Sequence, residues 1–297
     1  MVPHDKPRKG AVRLADVSPA LRRALSRGEE PTRTAIEWMA IEMPTLVRCT
    51  LPEVGLRRET PRIAAAADAA EGLGIMERTR RIVDAIHEAL PSGERGERVR
   101  RRLAEHPMDS VRNWACCLEL KRPGVSLKRR IAATRPFAAD PHMAVREFAW
   151  MALRPHLVAD LERAFVLLQP WTKDEDAFIR RCAIETTRPR GVWCSHIARL
   201  KEAPELGRAL LDAVNADESL YVRKSAGNWI NDAAKSRPDW VRQLAREWLA
   251  GSPSPRTRWI VRHGLRSIRL FAQHWKCCWA IAPATSDSWL GSPSPRC

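Results

Sequence analysis

Residues 174–186 (DEDAFIRRCAIET) and 217–230 (DESLYVRKSAGNWI) share the pattern that decides the fold. In each, acidic residues precede an aliphatic residue followed by arginine, and apolar residues then recur at helical spacing. Five such units are anchored, at successive spacings of 34, 34, 43 and 39 residues, by Val111, Val145, Ile179, Val222 and Val261. This period predicts one antiparallel helix pair per unit, with the first Asp capping the second helix. Such pairs bury their apolar faces by stacking on one another.

Elsewhere in the chain, Val, Ile, Tyr and Thr do not alternate with polar residues over the length of a strand, so we expect an all-α protein. The units resemble HEAT-type repeats, and this resemblance implies a right-handed α-solenoid with a concave basic groove. Upstream patterns predict helices over residues 20–27, 35–43 (interrupted by Pro44), 63–73, 79–90 and 97–106. We therefore interpret residues 1–98 as the start of the solenoid and 99–268 as its repeats. Residues 269–297 lack helical periodicity and are predicted to form an irregular, disordered tail.

The charge of the chain indicates its partner. A net charge of +16 and a pI near 10.3 favour a polyanion, nucleic acid before membrane. No run approaches the roughly 18 apolar residues of a membrane span, and the polar first ten residues do not resemble a secretion signal. The eight cysteines include no CxxC motif, which favours reduced thiols over disulfides or zinc. We expect a cytoplasmic protein without a metal or other cofactor.

The arginines of the repeat admit two interpretations. In HEAT units this arginine often pairs with an aspartate of the next unit, and we favour that role for Arg112, Arg146 and Arg180. In a solenoid, the residues that directly follow the repeat arginines fall along one face, where basic side chains could follow a phosphate backbone. The better candidates for phosphate contacts are basic residues beyond the repeat arginines, namely Arg188, Arg190, Lys224, Arg258 and His263.

Acidic and aromatic residues accompany these arginines. Glu147 and Trp150 share a helix face, Glu185 ends a helix, Trp193 follows the next turn, and Asp232 shares a face with Asn228. A carboxylate among apolar neighbours is costly unless it is paired or needed, and with tryptophan it suits a cationic aromatic ligand. The alternatives are ordinary salt bridges between units for the acids and packing between helices for the tryptophans.

Four segments together resemble the bacterial DNA alkylation repair family, the HEAT-like alkylpurine DNA glycosylases. They are residues 139–155 (ADPHMAVREFAWMALRP), 179–193 (IRRCAIETTRPRGVW), 217–241 (DESLYVRKSAGNWINDAAKSRPDWV) and 256–268 (RTRWIVRHGLRSI). The resemblance implies excision of cationic N3- or N7-alkylated purines from duplex DNA, without flipping the base into a pocket. It implies that Glu185 and Asp232 face the lesion, with Trp193 against the deoxyribose and Glu147 and Trp150 nearby. It also implies DNA-backbone contacts from Arg223, Lys224, Arg258 and Arg262.

The chemistry of such a lesion is compatible with these residues. An alkylated purine is a cationic leaving group, so a carboxylate near C1′ can suffice, by stabilising the oxocarbenium charge and positioning water. No lysine is placed as a Schiff-base nucleophile, so we expect a monofunctional glycosylase. The sequence shows no oligomerisation signal either way, and we expect a monomer. Trp229 departs from the family pattern and is expected to narrow the site. The alternatives are a non-catalytic nucleic-acid-binding scaffold, whose acids would be held in salt bridges, and a protein-binding solenoid with an acidic partner.

Overall fold

A computed structural model of the protein describes residues 8–251 and 254–268, and within them it contains helices and no strand. The tail predicted at 269–297 lies outside the described residues. The helices are α1 (Pro19–Arg27), α2 (Ala35–Met39), α3 (Met43–Thr50), α4 (Thr60–Ala69), α5 (Ile75–Ala89), α6 (Gly93–Ala104), α7 (Asp109–Leu120), α8 (Leu127–Ala138), α9 (Met143–Leu157), α10 (Leu161–Leu168), α11 (Ala177–Thr186), α12 (Ala198–Glu202), α13 (Arg208–Ala213), α14 (Leu220–Ala234), α15 (Pro238–Gly251) and α16 (Pro255–Gly264). The prediction of an all-α repeat protein is confirmed.

The repeat arranges these helices in two layers. The second helices of successive units, α7, α9, α11, α14 and α16, pack side by side in chain order, and we call them the inner helices. The intervening helices α8, α10, α13 and α15 form the other layer, joined by 3-10 turns such as Gln169–Lys173 and Pro204–Gly207. The aliphatic anchors of the repeat are the buried contacts of the inner helices: Val111, Val145, Ile179, Val222 and Val261 are at most 1% exposed.

Local signals explain most helix ends. Ser18 caps α1 by accepting a hydrogen bond from the amide of Leu21, and Asp176 caps α11 through the amide of Phe178. Pro44 was expected to interrupt one long helix over 35–43. Instead, α2 ends at Met39 and Pro44 lies in the first turn of α3, where its missing N–H has no intrahelical partner to lose.

The predicted pairing of repeat arginines with the next unit is found for two of the three. Arg112 Nε lies 2.8 Å from Asp140 Oδ2, and Arg180 Nε lies 2.7 Å from Asp217 Oδ2. Arg146 instead donates to the backbone oxygen atoms of the loop before its own helix.

The reason for this exception lies in the neighbouring unit. Asp174, the acid that Arg146 would meet, is held by Arg135 at 2.6 Å. The guanidinium of Arg146 rests on the ring of Phe178, 4.0 Å from its centroid, which is cation–π distance. Arg112, Arg146 and Arg180 are therefore engaged in contacts within and between units, and these three arginines do not form a free stripe for phosphate.

The longest repeat spacing, 43 residues between Ile179 and Val222, makes room for an additional loop. The extra residues form a loop, residues 187–197, between α11 and α12, followed by short helices where other units have one long one. We call it the Trp193 loop, and it rises from the end of an inner helix. Among the described residues, no helix combines the length and the apolar character needed to cross a bilayer.

Candidate active site

Two carboxylates predicted to act together are joined by one arginine. Glu185 on α11 and Asp232 on α14 are each 3% exposed. Arg188 lies between them, with Nη1 3.1 Å from Glu185 Oε2 and Nε 2.9 Å from Asp232 Oδ2. The hydroxyl of Ser225 donates to the other oxygen of Glu185 at 2.6 Å. The two acids therefore converge across neighbouring inner helices, bridged by a buried cation.

A third carboxylate extends this arrangement to α9. Glu147 accepts one hydrogen bond from the indole of Trp150 at 2.8 Å, and Arg181 Nη2 lies 2.6 Å from its other oxygen. Arg181 also lies 3.7 Å from Glu185. Charges thus alternate across three inner helices in what we call the ion row, which runs Glu147, Arg181, Glu185, Arg188 and Asp232.

The row keeps its arginines charged despite their burial. Burial alone lowers the pKa of Arg181, but the carboxylates of Glu185 and Glu147 outweigh it and raise the pKa above its ordinary value. The pKa of Arg188 is raised in the same way, with burial opposed by Glu185 and Asp232. Because these arginines stay charged, they hold the neighbouring carboxylates in fixed positions.

The ion row forms one side of a cleft of about 360 Å³. The row contributes Glu147, Arg181, Glu185 and Arg188 to its lining, but Asp232 lies behind Arg188 and outside the lining. Glu147 is the most open of the three acids, with 31% of its side chain exposed. A ligand in this cleft would therefore meet Glu147 and Glu185 directly and Asp232 only through Arg188.

Tryptophan side chains and a strained backbone complete this side of the cleft. Trp150 and Trp193 both line it. Trp193 has a φ of 63°, and among the described residues no other non-glycine residue has a positive φ. Its side chain is 56% exposed, so apolar burial does not hold it there. A bulky residue in this conformation is uncommon and costs about 1–3 kcal/mol, and such strain concentrates at functional sites.

Arg154 pins the Trp193 loop at both ends. It is 2% exposed and donates to the backbone oxygen of Thr186 at 3.0 Å and to that of Ser195 at 3.1 Å. Burial lowers its pKa. Gly191 packs so closely that an added Cβ would lie 2.2 Å from the sulfur of Cys194 and 3.3 Å from Arg154 Cζ. The loop is thereby held in one position over the cleft.

Comparison with known proteins shows what this site is similar to. Residues 142–268 match the model of the DNA alkylation repair enzyme family, and this range contains the ion row, both cleft tryptophans and the Trp193 loop. This part of the chain is therefore similar to the DNA alkylation repair enzyme family. The resemblance indicated by the four sequence segments is confirmed over these residues.

Two relatives are informative. A solved structure, the Pseudomonas fluorescens alkylpurine DNA glycosylase AlkC bound to DNA containing an abasic site analog, matches with a TM-score of 0.64 and 29% identity. The match covers 76% of this chain and 62% of that one. The uncharacterized protein YhaZ of Bacillus subtilis (strain 168) is 38% identical over 117 residues, which are 39% of this chain and 32% of YhaZ. The chain thus spans about a third of that curated relative and less than two thirds of the solved one.

The basic residues predicted to contact DNA divide into two groups. Lys224, Arg258 and Arg262 are exposed and, within residues 8–251 and 254–268, form no ion pair. His263 is half-buried, with Nε2 3.1 Å from Asn228 Oδ1, and burial together with the nearby cations lowers its pKa. This group is available at the surface of the last two inner helices.

The second group is engaged within the protein. Arg188 was expected to lie beyond the repeat contacts, but it is 9% exposed because the acids of the ion row enclose it. Arg190 donates to the hydroxyl of Ser236 at 2.7 Å and to the backbone oxygen of Asp232 at 3.3 Å, which ties the Trp193 loop to α14. Arg223 donates to the backbone oxygens of Asp217 and Glu218, as a repeat arginine does.

Other expectations are corrected by packing. Trp229 was expected to narrow the site, but it is 1% exposed, lies against Gly207 and is absent from the cleft lining. Sequence reasoning missed Arg154 and Ser225 as supports of the site. Arg154 follows Trp150 by four residues on a largely apolar helix, and a charge there was a usable signal. Ser225 gave no signal of its own.

Proposed function

We propose that this protein is a monofunctional DNA glycosylase that excises cationic N3- or N7-alkylated purines from duplex DNA. The observation that carries the proposal is the meeting of Glu147, Glu185, Trp150 and Trp193 at one cleft within the family-matched segment. Carboxylates beside tryptophan faces suit a flat, positively charged base. The solved relative, named as an alkylpurine DNA glycosylase and bound to DNA, supports the same chemistry.

The reaction needs little from the protein beyond placed charge. The bond between C1′ and the purine nitrogen breaks, and its electron pair neutralises the cationic base. Positive charge then develops on the deoxyribose, where Glu185 stabilises it directly, Asp232 acts through Arg188, and Trp193 excludes solvent. A water molecule held by a carboxylate adds its oxygen to C1′ and passes a proton to that carboxylate. The products are the free base and an abasic sugar.

The rest of the proposal concerns the partner and its surroundings. Lys224, Arg258, Arg262 and His263 would hold the DNA backbone at the surface of the last two inner helices, together with Arg223. Arg188 and Arg190 would act indirectly, by positioning Asp232 and the Trp193 loop. We further propose that the protein acts as a monomer in the cytoplasm, where genomic DNA and reduced cysteines are both expected.

A specific observation favours a second candidate, a non-catalytic nucleic-acid-binding scaffold. Its acids would be held in salt bridges, and Glu185 and Asp232 are in fact both bonded to Arg188. The two candidates differ in whether a cationic ligand can take over part of the role of Arg188.

One assay separates these candidates. DNA treated with a methylating agent is incubated with wild-type protein, Glu185→Gln and Asp232→Asn, and the released methylpurines and the DNA affinity are measured. We expect either substitution to reduce release by about 10²–10³-fold with affinity retained, because charge that is needed mainly in the transition state is lost. Glu162→Gln is the matched control, since that acid is 53% exposed and remote from the cleft. Tight DNA binding without release by the wild type would favour the scaffold. Absence of both DNA binding and base release would exclude both candidates.

A further inference from the structure

A loop from outside the family-matched segment borders the cleft. Residues 32–34, which precede α2, line it together with four members of the ion row. They lie far upstream of residue 142, where the family match begins. Arg33 is exposed, and in the part of the chain that the structure describes it forms no ion pair. This border of the cleft therefore carries a cation that the ion row does not engage.

A second cation lies next to Arg33. The chain at Gly10 packs so closely against the loop that an added Cβ would lie 3.0 Å from Arg33 Cβ and 2.5 Å from Thr34 Cγ2. The hydroxyl of Thr34 also donates to the backbone oxygen of Ala11 at 2.7 Å. Lys9, which precedes Gly10, is exposed and has no ion-pair partner within residues 8–251 and 254–268. We call Lys9 and Arg33 the N-terminal cations.

A buried carboxylate of α2 holds both strands of chain that carry these cations. Glu37 is 0% exposed and accepts hydrogen bonds from the amides of Ala11 and Arg33, both at 2.8 Å, and from Arg8 at 3.0 Å. Burial alone raises the pKa of Glu37, but these hydrogen bonds outweigh it and lower the pKa. The N-terminal cations are therefore held in place before a ligand binds, which reduces the ordering cost of binding.

Contacts with the inner helices show on which side of the ion row these cations lie. Asp109 of α7 is 0% exposed and accepts from the amide of Thr32 at 2.9 Å, and the backbone oxygen of Thr32 contacts Nε2 of His142, the capping residue of α9. The inner helices pack in chain order, so α11 with Glu185 lies between this pair and α14 with α16. The N-terminal cations and the exposed cations of α14 and α16 thus flank Glu185 from opposite sides.

We propose that Lys9 and Arg33 form a second contact surface for the phosphate backbone of duplex DNA. The inference rests on the proposed function for its DNA partner, but it requires neither base release nor a base inside the cleft. Basic side chains without protein partners are the groups that neutralise phosphates. A duplex presents phosphates on both sides of any base pair, so one duplex can meet both sets of cations while it crosses the ion row.

The spacing of the helices gives the reach of this contact. Neighbouring packed helices are about 8–10 Å apart, so one to two steps from α11 to either side span about 8–20 Å. At about 3.4 Å per base pair, each set of cations meets the duplex about two to six base pairs from the position opposite α11. The two surfaces therefore hold different arms of the DNA.

The first test is the salt dependence of binding, by the full chain, to a duplex with an abasic-site analog. Lys9→Gln and Arg33→Gln should each make the slope of log affinity against log salt concentration smaller by about one, because one counterion fewer is released. Both side chains are exposed, so Tm should not change. Arg163→Gln is the matched control: Arg163 is an exposed cation on α10, in the layer away from the inner helices, and does not line the cleft. Slopes for both variants equal to that of the control would overturn the inference.

A second test locates the contact. The duplex is shortened to about two base pairs on one side of the analog or on the other, the nearest distance at which either surface meets it. One shortening should abolish the difference in affinity between Arg33→Gln and wild type, and the opposite shortening should abolish that between Arg258→Gln and wild type. Loss of both differences with the same shortening would overturn the placement on opposite sides.

Failure of the proposed function would look different. Salt-dependent binding by the wild type without release of methylpurine, combined with smaller slopes for Lys9→Gln and Arg33→Gln, would overturn the glycosylase and support this surface. Release of methylpurine with wild-type slopes in both variants would overturn this inference alone. A wild-type protein that does not bind DNA would overturn both.

Discussion

Removal of the cation between Glu185 and Asp232 is the most direct perturbation of the site. Arg188→Met keeps an unbranched apolar stem but removes the guanidinium and with it both hydrogen bonds to the acids. Glu185 then retains Ser225, with Arg181 at 3.7 Å, whereas the nearest cation to Asp232 is Lys235 at 3.9 Å. Both acid side chains are only 4–5% exposed, so water cannot replace the lost partner.

The expected loss follows from this burial. Removing one partner of a buried ion pair costs about 3–5 kcal/mol, because the other charge is left without compensation. At roughly 2–4 °C per kcal/mol for a domain of this size class, about 3 kcal/mol lowers Tm by roughly 6–12 °C. Arg199→Met is the control: Arg199 is 57% exposed and pairs with Glu162 at the surface, where a pair contributes about 1 kcal/mol or less.

A double-mutant cycle identifies the source of the loss. Asp232→Asn combined with Arg188→Met removes the orphaned charge, so the double variant should be more stable than the sum of the two single losses predicts. Thermal unfolding followed by circular dichroism measures all four proteins. A Tm for Arg188→Met within 2 °C of wild type, or strictly additive losses, would refute the view that this cation holds the buried acids.

Two further predictions concern the remaining charges. The slope of log DNA affinity against log salt concentration should become smaller by about one in each of the variants Lys224→Gln and Arg258→Gln, and should not change in the control Arg199→Gln. An affinity that does not depend on salt would instead favour a protein partner. Burial lowers the pKa of His106 and His156 below the ordinary value of 6.5. Above that pH both histidines are neutral in the folded and in the unfolded chain, whereas below it the unfolded chain binds more protons than the folded one. The free energy of unfolding, measured by urea titration, should therefore decrease as the pH falls from 7.5 to 5.5. His156→Gln should weaken this pH dependence, and the same dependence in the variant as in the wild type would contradict the prediction.

The repeat made much of the site predictable. Once the aliphatic anchors are aligned, the inner helices follow, and Glu147, Glu185 and Asp232 fall on adjacent members of one layer. The anchors work because Val and Ile at this period must be buried when helix pairs stack. Neighbouring inner helices then bring residues 40 or more apart in sequence into contact, as Arg188 and Asp232 show with a separation of 44.

What the sequence left open was the pairing of charges. Arg188 and Arg258 look alike in sequence, each a basic residue in a polar stretch near the end or start of an inner helix. One is enclosed by two acids and the other is exposed, and only the three-dimensional positions of α11 and α14 decide which. The position of the loop before α2 was hidden for a similar reason, since Thr32 and Asp109, which hold it, are 77 residues apart and belong to no common pattern.

The pairing of buried acids with arginines also indicates whether the ion row contributes to function or to stability. A buried ion pair is a weak source of stability, because desolvation offsets most of the attraction and apolar residues of similar size often serve as well. The row has a further cost at Trp193, whose strained backbone is held by Arg154 at both ends of its loop. An apolar core with a relaxed loop would stabilise these helices more simply. The combination of paired acids, an exposed and strained tryptophan and an open cleft is therefore better explained by a cationic ligand whose binding the row is arranged to favour.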